Sequence, residues 1–222
     1  MIKPISQLKD LHHGEDIYII ASGPSAGFID NSFFENKITI GVNQVFKKFK
    51  CDYIVRKEKS HLKQSIDSGA TVIISEWDSG DITKGKKLKN TEGTSDLNFY
   101  VYEHKENRHT RIDFSVLGTD MLIVSYSTIT TAMHAAAYLG AKNIILVGHD
   151  CGLIDEKFVF DGYYESITET PWKNWNDYKN WLSVIESQTI EVKENLQRFY
   201  NCNIYSLNPF INFNLEGHKY KS

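Results

Sequence analysis

The sequence has little cysteine and little proline, and it contains no long apolar run. Its 222 residues include three cysteines, Cys51, Cys151 and Cys202, and no two of them form a C-x-x-C pair. An odd number of widely spaced cysteines argues against a disulfide framework or a structural zinc site, and is typical of a reducing, cytoplasmic compartment. No stretch approaches the roughly 20 apolar residues of a membrane span, and the N-terminus lacks the apolar core of a signal peptide. We therefore expect a cytoplasmic protein without a membrane span.

The charge balance shows no excess of basic residues. The formal net charge is −3 at pH 7, with 25 Lys and Arg against 28 Asp and Glu. A dedicated nucleic-acid-binding protein would show a clear basic surplus, so no nucleic-acid partner is expected. Apolar residues make up 41% of the chain and charged residues 24%, which is ordinary for a globular protein. The length suits one domain, 1–222, and leaves a homo-oligomer open.

Short apolar runs alternate with segments of helical character along most of the chain. Runs of this length are typical of strands buried on both faces, as in parallel sheets. The alternation predicts βαβ units, and therefore an α/β fold of Rossmann-like type, with a mostly parallel sheet and helices on both of its faces. The predicted strands are 17–21, 37–42, 52–55, 71–75, 143–148 and 203–207, and the predicted helical segments are 26–34, 43–50, 58–68, 128–139 and 175–200, the last as one helix or two in series.

Residues 76–118 interrupt this alternation. The first half of the segment is polar and contains several lysines, while 97–102 is apolar enough to add a strand. Loops this long inside a compact domain are usually functional or mobile. We therefore expect an inserted segment whose lysines cover a ligand's phosphate as a lid, with a solvated loop as the simpler alternative.

The first candidate site is the turn Ser22-Gly23-Pro24-Ser25, which follows the strand 17–21. A strand that turns through glycine into a helix directs backbone N–H groups into the turn, where they favour a phosphate. Gly23 permits close approach of a ligand, and Pro24 suits a first helical turn. An ordinary strand-to-helix connection would contain the same residues, so the motif alone leaves both interpretations open.

Polar residues also follow the second strand and precede the alanine-rich helix. Asn43 comes where a nucleotide-binding sheet meets ribose or base, although capping of a helix would also explain it. Ser127 and Thr128 begin a run with four hydroxyls over five residues. That number exceeds what one helix cap requires and favours contact with a phosphate or a sugar.

The run Gly148-His149-Asp150 follows the most convincing strand of the sequence. Polar residues at the carboxyl end of such a strand lie where doubly wound sheets bind ligands. His149 has the side chain whose ordinary pKa suits proton transfer near neutral pH, and Asp150 would need burial to raise its own pKa. These two are the candidate catalytic bases, with a structural histidine as the alternative. Acidic residues in the following loop could hold a hydrated Mg²⁺, but a solvated acidic loop explains them better, so no metal site is assigned.

Together these segments resemble one superfamily of nucleotide-dependent enzymes. The matching runs, in chain order, are IYIIASGPS, GVNQ, the stretch 126–150 and NIYSLNP, and they span most of the chain outside 76–118. One branch of that superfamily contains bacterial sialyltransferases that use CMP-sialic acid, with related motility-associated glycosyltransferases. The other branch contains archaeal 6-hydroxymethyl-dihydropterin diphosphokinases. The stretch 126–150 is the most specific part of the resemblance.

The resemblance implies a nucleotide site assembled from four segments. Asn43 would contact the base or ribose, and Ser127 and Thr128 would lie near a phosphate. Gly148 and Asp150 would lie at the edge of the donor site. The turn residues implied as nucleotide contacts are Ser22, Gly23, Pro24 and Ser25.

The chain departs from the sialyltransferase pattern at the catalytic residues. The general-base histidine of those enzymes corresponds to a position near Val184, which cannot accept a proton. Their two tyrosines, which steady the departing phosphate, correspond approximately to Gly152 and Phe158. The catalytic set is therefore missing or replaced, and the candidates for replacement are Tyr163, Tyr164 and His149.

The chain also departs from the diphosphokinase pattern. That branch holds Mg²⁺ on acidic residues after its third strand, where this sequence reads Val55-Arg56-Lys57-Glu58. Basic residues at this place disfavour metal-assisted transfer of a diphosphate, because that chemistry needs carboxylates to hold the ion.

Three functions follow from these observations. The first is a glycosyltransferase-like enzyme that binds a nucleotide-sugar donor, with no certain cofactor, and transfers the sugar to a glycan or small-molecule acceptor between 76–118 and 149–172. The second is a diphosphokinase-like phosphoryl transferase that requires Mg²⁺. The third is a nucleotide-binding protein without catalysis, which the missing histidine and tyrosines would explain.

Overall fold

Eight parallel strands form a single sheet at the centre of the computed structural model, which describes residues 2–79, 82–83, 85–88, 97–105, 111–164 and 175–207, without the side chains of 175–179. The strands are β1 (Ile2–Pro4), β2 (Asp16–Ile20), β3 (Ile38–Val42), β4 (Tyr53–Arg56), β5 (Thr71–Ser75), β6 (Phe99–Tyr102), β7 (Asn143–Val147) and β8 (Asn203–Ser206). Their order across the sheet is β1-β6-β5-β4-β3-β2-β7-β8.

Two interior strands of the sheet, β2 and β7, are continuously apolar after their first residue and lie next to each other. β2 pairs with β3 in the register Ile17↔Ile38 and with β7 in the register Asp16↔Asn143. Residues 17–20 of β2 and 144–147 of β7 are buried without a break, as expected of parallel strands that are covered on both faces. The Rossmann-like α/β fold predicted from the sequence is therefore confirmed.

Among the described residues, three α-helices accompany the sheet: α1 (Leu62–Asp67), α2 (Thr128–Tyr138) and α3 (Trp175–Tyr200). Every residue of α2 is buried, and its alanines allow the helix axis to lie close to the sheet while α3 covers it from outside. Gly140 follows α2 with φ +93°, a conformation that glycine adopts without strain at a helix end. The C-terminal run predicted as one helix or two is a single helix.

Two predicted helices are replaced by shorter structure. Residues 26–34 and 43–50 form separate 3₁₀ turns, Pro24–Phe28, Asn31–Phe34 and Val45–Lys47. Asp30 explains part of the difference, because its carboxylate accepts a hydrogen bond from the Ser32 N–H and starts a new turn there. β1 was not predicted, since a three-residue edge strand that ends in proline has too short an apolar pattern to detect.

The segment 76–118 contributes to the body of the domain. The added strand predicted at 97–102 is present as β6, which lies between β1 and β5. The domain has two hydrophobic cores. Ile112 and Val116 are buried in one of them, and Leu88 is buried in the other. The role of the segment as a lid stays a prediction, and its residues 80–81, 84, 89–96 and 106–110 lie outside the described part of the chain.

The strand order reverses at β2 and β7, and this reversal positions the functional site. From β2 the chain proceeds outward through β3, β4 and β5, whereas β8 lies on the other side of β7. At such a switch point, the chain leaves the two neighbouring strands, here β2 and β7, in opposite directions. This opens a crevice at their carboxyl ends. Within the described residues, no helix is long and apolar enough to cross a membrane.

A buried histidine in α2 gives the fold a specific dependence on pH. The two ring nitrogens of His134 lie 3.0 Å from the Ile123 nitrogen and 2.9 Å from the Tyr200 hydroxyl. Burial lowers the pKa of His134 to about 3, against roughly 6.5 in an unfolded chain. The ring is therefore neutral in the folded protein over a pH range in which the unfolded chain binds a proton.

We expect the stability contributed by the neutral His134 ring to be complete above its unfolded pKa and to be lost as the pH falls toward 3. Between its folded and unfolded pKa values, His134 contributes about 1.4 kcal/mol per pH unit to the slope of the unfolding free energy against pH. Urea unfolding of wild type and His134→Gln over acidic pH should show a shallower dependence in the variant. The exposed His13, replaced by Gln, is the control and should leave the slope unchanged. Equal slopes for wild type and His134→Gln would contradict this expectation.

Candidate functional site

A cleft of about 640 Å³ lies at the carboxyl ends of the central strands. Its walls come from the ends of β2, β3, β4 and β7, the start of α2, the loop after β7, and one side of α3. The predicted residues that line it are Ser22, Gly23, Asn43, Ser127, Thr128, Gly148, His149 and Asp150. The fold thus brings these eight residues together from four separate segments. Their binding and catalytic roles stay predictions.

The turns after β2 and β7 are locked together through two glycines. The Gly23 N–H donates to the Gly148 carbonyl at 2.7 Å. A Cβ atom on Gly23 would lie 2.3 Å from that same carbonyl oxygen, so a larger residue would force the turns apart. Gly148 has φ +68°, a left-handed conformation that favours glycine. Gly23 was predicted to permit close approach by a ligand, and the contact with Gly148 gives a packing reason for a glycine here as well.

A serine–aspartate contact completes this junction. The Ser25 backbone N–H donates to Asp150 Oδ2 at 2.7 Å, and the Ser25 hydroxyl donates to Asp150 Oδ1. Pro24 and Ser25 are the buried residues of this turn, and they do not form part of the cleft wall. The Ser25 hydroxyl is therefore engaged with Asp150 and not directed at a ligand in this structure.

Asn43 and its neighbour form the next part of the wall. Asn43 has a left-handed backbone, φ +57°, and its carbonyl oxygen accepts a hydrogen bond from Arg56 Nη1 at 2.8 Å. Gln44, not Asn43, precedes the 3₁₀ turn that follows, so the capping alternative does not hold for Asn43. The Gln44 side-chain oxygen accepts a hydrogen bond from the Tyr163 hydroxyl at 3.1 Å.

The four hydroxyls at the start of α2 divide between capping and the cleft. Ser127 is the N-cap, and its Oγ accepts a bond from the Ile129 N–H at 3.4 Å. Thr130 donates to the Ser127 carbonyl at 2.8 Å, while the Thr131 hydroxyl is buried without a partner among the described residues. Ser127 and Thr128 both line the cleft. Capping therefore accounts for Ser127, and Thr128 has its surface in the cleft without a capping role.

His149 lies against α3, and its environment differs from the one expected. Its Nε2 is 3.1 Å from Thr189 Oγ1. Because that threonine donates its own hydrogen to the Ile185 carbonyl, Nε2 acts as the donor of the pair. Burial lowers the pKa of His149 to about 4, so the expectation of a pKa suited to neutral pH is wrong. The ring is neutral at pH 7.

Asp150 meets the condition that the sequence analysis set for it. Burial raises its pKa, although the two hydrogen bonds from Ser25 oppose the shift. Both of its oxygens already accept hydrogen from Ser25, which lowers their ability to accept another proton. Among the described residues, no group of three His, Cys, Asp or Glu side chains is placed to hold a metal ion.

The α3 side of the cleft is apolar where the resemblance places a catalytic histidine. Trp181, Leu182 and Ile185 line it, whereas Val184 is 38% exposed and points elsewhere. Gly152 and Phe158, which correspond to the two tyrosines of the sialyltransferases, also lie on the wall. Tyr163 and Tyr164, both named as replacements, line it too, while 165–174 lie outside the described residues.

Sequence reasoning missed two basic residues as parts of the site. Arg56 and Lys57 both line the cleft and are 2% and 6% exposed. Lys57 Nζ donates to the carbonyl oxygens of Ser125 and Tyr126 at 2.7 and 2.9 Å, which ties the end of β4 to the approach to α2. The available signal was a pair of charged residues directly after a buried strand, which the sequence analysis used only to argue against a metal.

The Ser25–Asp150 contact predicts a stability effect at this junction. We expect Asp150→Asn to lower the free energy of unfolding by roughly 1–3 kcal/mol, since the amide nitrogen cannot accept from a Ser25 donor in a buried place. Urea unfolding of the free protein at neutral pH would measure the change. Asp161→Asn is the matched control, because the Asp161 side chain is 81% exposed and should change stability by less than about 0.5 kcal/mol. Equal losses in the two variants would contradict the structural role of Asp150.

Comparison with known proteins shows the fold and not the family. No protein-family model and no curated protein matches the chain. Among solved structures, the α-2,3-sialyltransferase Cst-I of Campylobacter jejuni is similar at 16% identity, with a TM-score of 0.57 over 91% of this chain and 80% of the other. The sialyltransferase CstII of Campylobacter jejuni in complex with cytidine-5'-monophosphate is 17% identical, with a TM-score of 0.52 over 95% and 88%. CstII in complex with a trisaccharide acceptor and CMP is 17% identical, with a TM-score of 0.53 over 94% and 88%. The chain therefore has the fold of these sialyltransferases.

Proposed function

We propose that this protein is a glycosyltransferase-like enzyme that uses a nucleotide-sugar donor. The observation that carries the proposal is the cleft at the switch point of the sheet, where the turns after β2, β3 and β7 meet the N-terminus of α2. The wall there carries the hydroxyl side chains of Ser22 and Thr128 and the N-terminus of α2, which suits nucleotide recognition at the carboxyl ends of parallel strands. The volume of about 640 Å³ lies in the range of small-molecule sites.

The likeness in fold supports a nucleotide-sugar over other ligands. CstII structures contain CMP in complex with the same fold over most of this chain. The residues Gly23, Asn43 and Thr128 line the cleft in this chain, in the segments that resemble the nucleotide-binding runs of those enzymes. We assign the nucleotide to this part of the cleft, with the acceptor, a glycan or a small molecule, toward the loop after β7.

The chemistry requires a group that takes the acceptor's proton and groups that stabilise the departing phosphate. His149 and Asp150 are the candidates for the proton, and both line the cleft. The proposed chemistry uses no metal, since β4 ends in Arg56 and is followed by Lys57, where the diphosphokinase-like pattern has acidic residues. The diphosphokinase-like alternative, which needs Mg²⁺ on carboxylates, has no support from the fold likenesses.

One observation favours a second candidate function, a nucleotide-binding protein without catalysis. His149 is buried, hydrogen-bonded to Thr189 and of low pKa, while Asp150 is engaged by Ser25. A weak base in a fixed hydrogen bond contributes little to proton transfer. Binding without turnover would be the result, and the two functions differ in whether donor is consumed.

Nucleotide binding is tested by isothermal titration of wild type with CMP, UDP, GDP, ATP and CMP-sialic acid, with and without EDTA. We expect a cytidine nucleotide to bind, and EDTA to leave its affinity unchanged. Saturation to 100 times the dissociation constant should stabilise the fold by about 2.7 kcal/mol. Tightening of ATP binding by Mg²⁺, with no binding of CMP compounds, would favour phosphoryl transfer instead.

Two isosteric variants locate the nucleotide on α2. Thr128→Val removes a hydroxyl from the cleft and should weaken nucleotide binding by about tenfold, or 1.4 kcal/mol. Thr131→Val removes a buried hydroxyl that has no hydrogen-bond partner among the described residues and does not line the cleft, so it should leave affinity unchanged. Equal affinities of both variants and wild type would place the ligand elsewhere.

The pH dependence of turnover tests the proton acceptor. Because the pKa of His149 is lowered to about 4, His149 is already deprotonated at mildly acidic pH. If it is the base, kcat/KM for donor consumption should be level between about pH 5.5 and about 8, and His149→Gln should reduce it at every pH. An inflection near 6.5, the ordinary histidine pKa, would identify a different proton acceptor.

A further inference from the structure

Arg56, the last residue of β4, is a buried positive charge in the wall of the cleft. Its side chain is 2% exposed. Nη1 donates to the Asn43 carbonyl at 2.8 Å and to Ser65 Oγ at 3.3 Å, and Nη2 donates to Ser60 Oγ at 3.4 Å. All three partners are neutral, so the hydrogen bonds orient the guanidinium but do not neutralise its charge.

Within the described part of the chain, the charge of Arg56 has no partner of opposite sign in contact with it. Among the described residues, no carboxylate lies within ion-pair distance of Arg56, and its Nε–H is buried without a hydrogen-bond partner. Glu58 acts on Arg56 only from a distance. Burial lowers the pKa of Arg56 to about 10, which leaves it charged at neutral pH. A buried charge without a counter-ion is costly, and the free protein tolerates that cost here.

The position of Arg56 connects this charge to the ligand site. Arg56 lines the cleft beside Asn43, Gln44 and Tyr163, and the charge of Arg56 lowers the pKa of the buried Tyr163 hydroxyl against the larger effect of burial. On the other side of the strand end, Lys57 lines the same cleft. The end of β4 therefore brings two positive side chains to the cleft, where Glu58 also lies on the wall, and Lys57 is held by backbone carbonyls.

We propose that Arg56 binds an anionic oxygen group of the nucleotide-sugar donor, either its phosphate or a carboxylate on its sugar. This inference rests on the proposed function and names the recognition element of the same site. A bound oxyanion would accept the unpaired Nε–H and supply the missing counter-charge in a place from which water is largely excluded. Charge-assisted hydrogen bonds of this type are among the strongest in proteins, so the anion would account for much of the donor's affinity.

The geometry also explains why arginine occupies this position. The guanidinium uses its Nη atoms to contact the Asn43 carbonyl and two serines, while its buried Nε–H has no partner among the described residues. A lysine ammonium has three donors on one atom and cannot span these positions. We therefore expect Arg56→Lys to fold and to retain the charge, but to lose part of the affinity for the anion.

The direct test compares ligands with and without an anionic group. Wild type, Arg56→Met and Arg56→Lys are titrated with cytidine, CMP and free N-acetylneuraminic acid. The control is Lys63→Met, which removes one positive charge from a side chain that is 73% exposed and outside the cleft. We expect Arg56→Met to weaken CMP binding by at least about tenfold while cytidine binding is unchanged, and Lys63→Met to match wild type. Loss of N-acetylneuraminic acid binding, with CMP unaffected, would assign Arg56 to the sugar carboxylate.

A second measurement on wild type covers the case in which Arg56→Met does not fold, since the Asn43 carbonyl would lose its donor. In ¹⁵N-labelled protein, the Nε–H resonance of Arg56, assigned by its absence in Arg56→Lys, should shift on addition of CMP or N-acetylneuraminic acid and not of cytidine. If CMP binds and neither the resonance nor the affinity of Arg56→Lys changes, the assignment of Arg56 is wrong and the proposed function stands. If no nucleotide binds, the proposed function fails, and titration with inorganic pyrophosphate then tests the anion site at Arg56 alone. A shift of the Arg56 Nε–H resonance supports that site. An unchanged resonance overturns it.

Discussion

The contact between the turns after β2 and β7 is the constraint on which the rest of the site depends. Gly23 donates to the Gly148 carbonyl, and Ser25 donates twice to the Asp150 carboxylate. Neither turn has room for a Cβ at its glycine without moving backbone or a buried side chain of the other. The separation of the two turns at the switch point is therefore fixed, and the residues on the cleft wall inherit their positions from this junction.

The sequence predicted the sheet and most of the cleft wall, because both depend on local patterns. Apolar runs such as 143–148 specify buried strands, and the topology of parallel strands brings their carboxyl ends to one edge. That is why Asn43, Thr128 and His149 could be assigned to a common site without any knowledge of distances. The short 3₁₀ turns and β1 were not predicted, since a few residues carry too little periodicity to indicate a helix or strand.

What the sequence could not predict is the electrostatic state of the individual side chains. His149 follows a strand, as a catalytic histidine would, yet its burial against Thr189 lowers its pKa to about 4. Arg56 was noted only as a substitute for an acidic residue, and among the described residues no carboxylate lies within ion-pair distance of it. Both properties arise from packing between elements that are distant in the chain, so no local pattern reveals them. Three ionisable residues of the cleft therefore differ in their state. His149 is neutral, Asp150 accepts hydrogen bonds from Ser25, and Arg56 remains charged.

Side chains at the strand ends in this cleft lie on opposite faces of the sheet, and each face packs into a different hydrophobic core. Arg56 and Tyr163 lie with α1 and the residues packed beneath the sheet, whereas Lys57 and Thr128 lie with α2 and α3 above it. A molecule that fills the cleft touches both layers at once. Its binding free energy therefore opposes the opening of either layer, because each opening would expose the same ligand. Occupancy of the cleft would make the two cores unfold as one cooperative unit, and amide hydrogens on both sides of the sheet would then exchange with solvent at a common, slower rate.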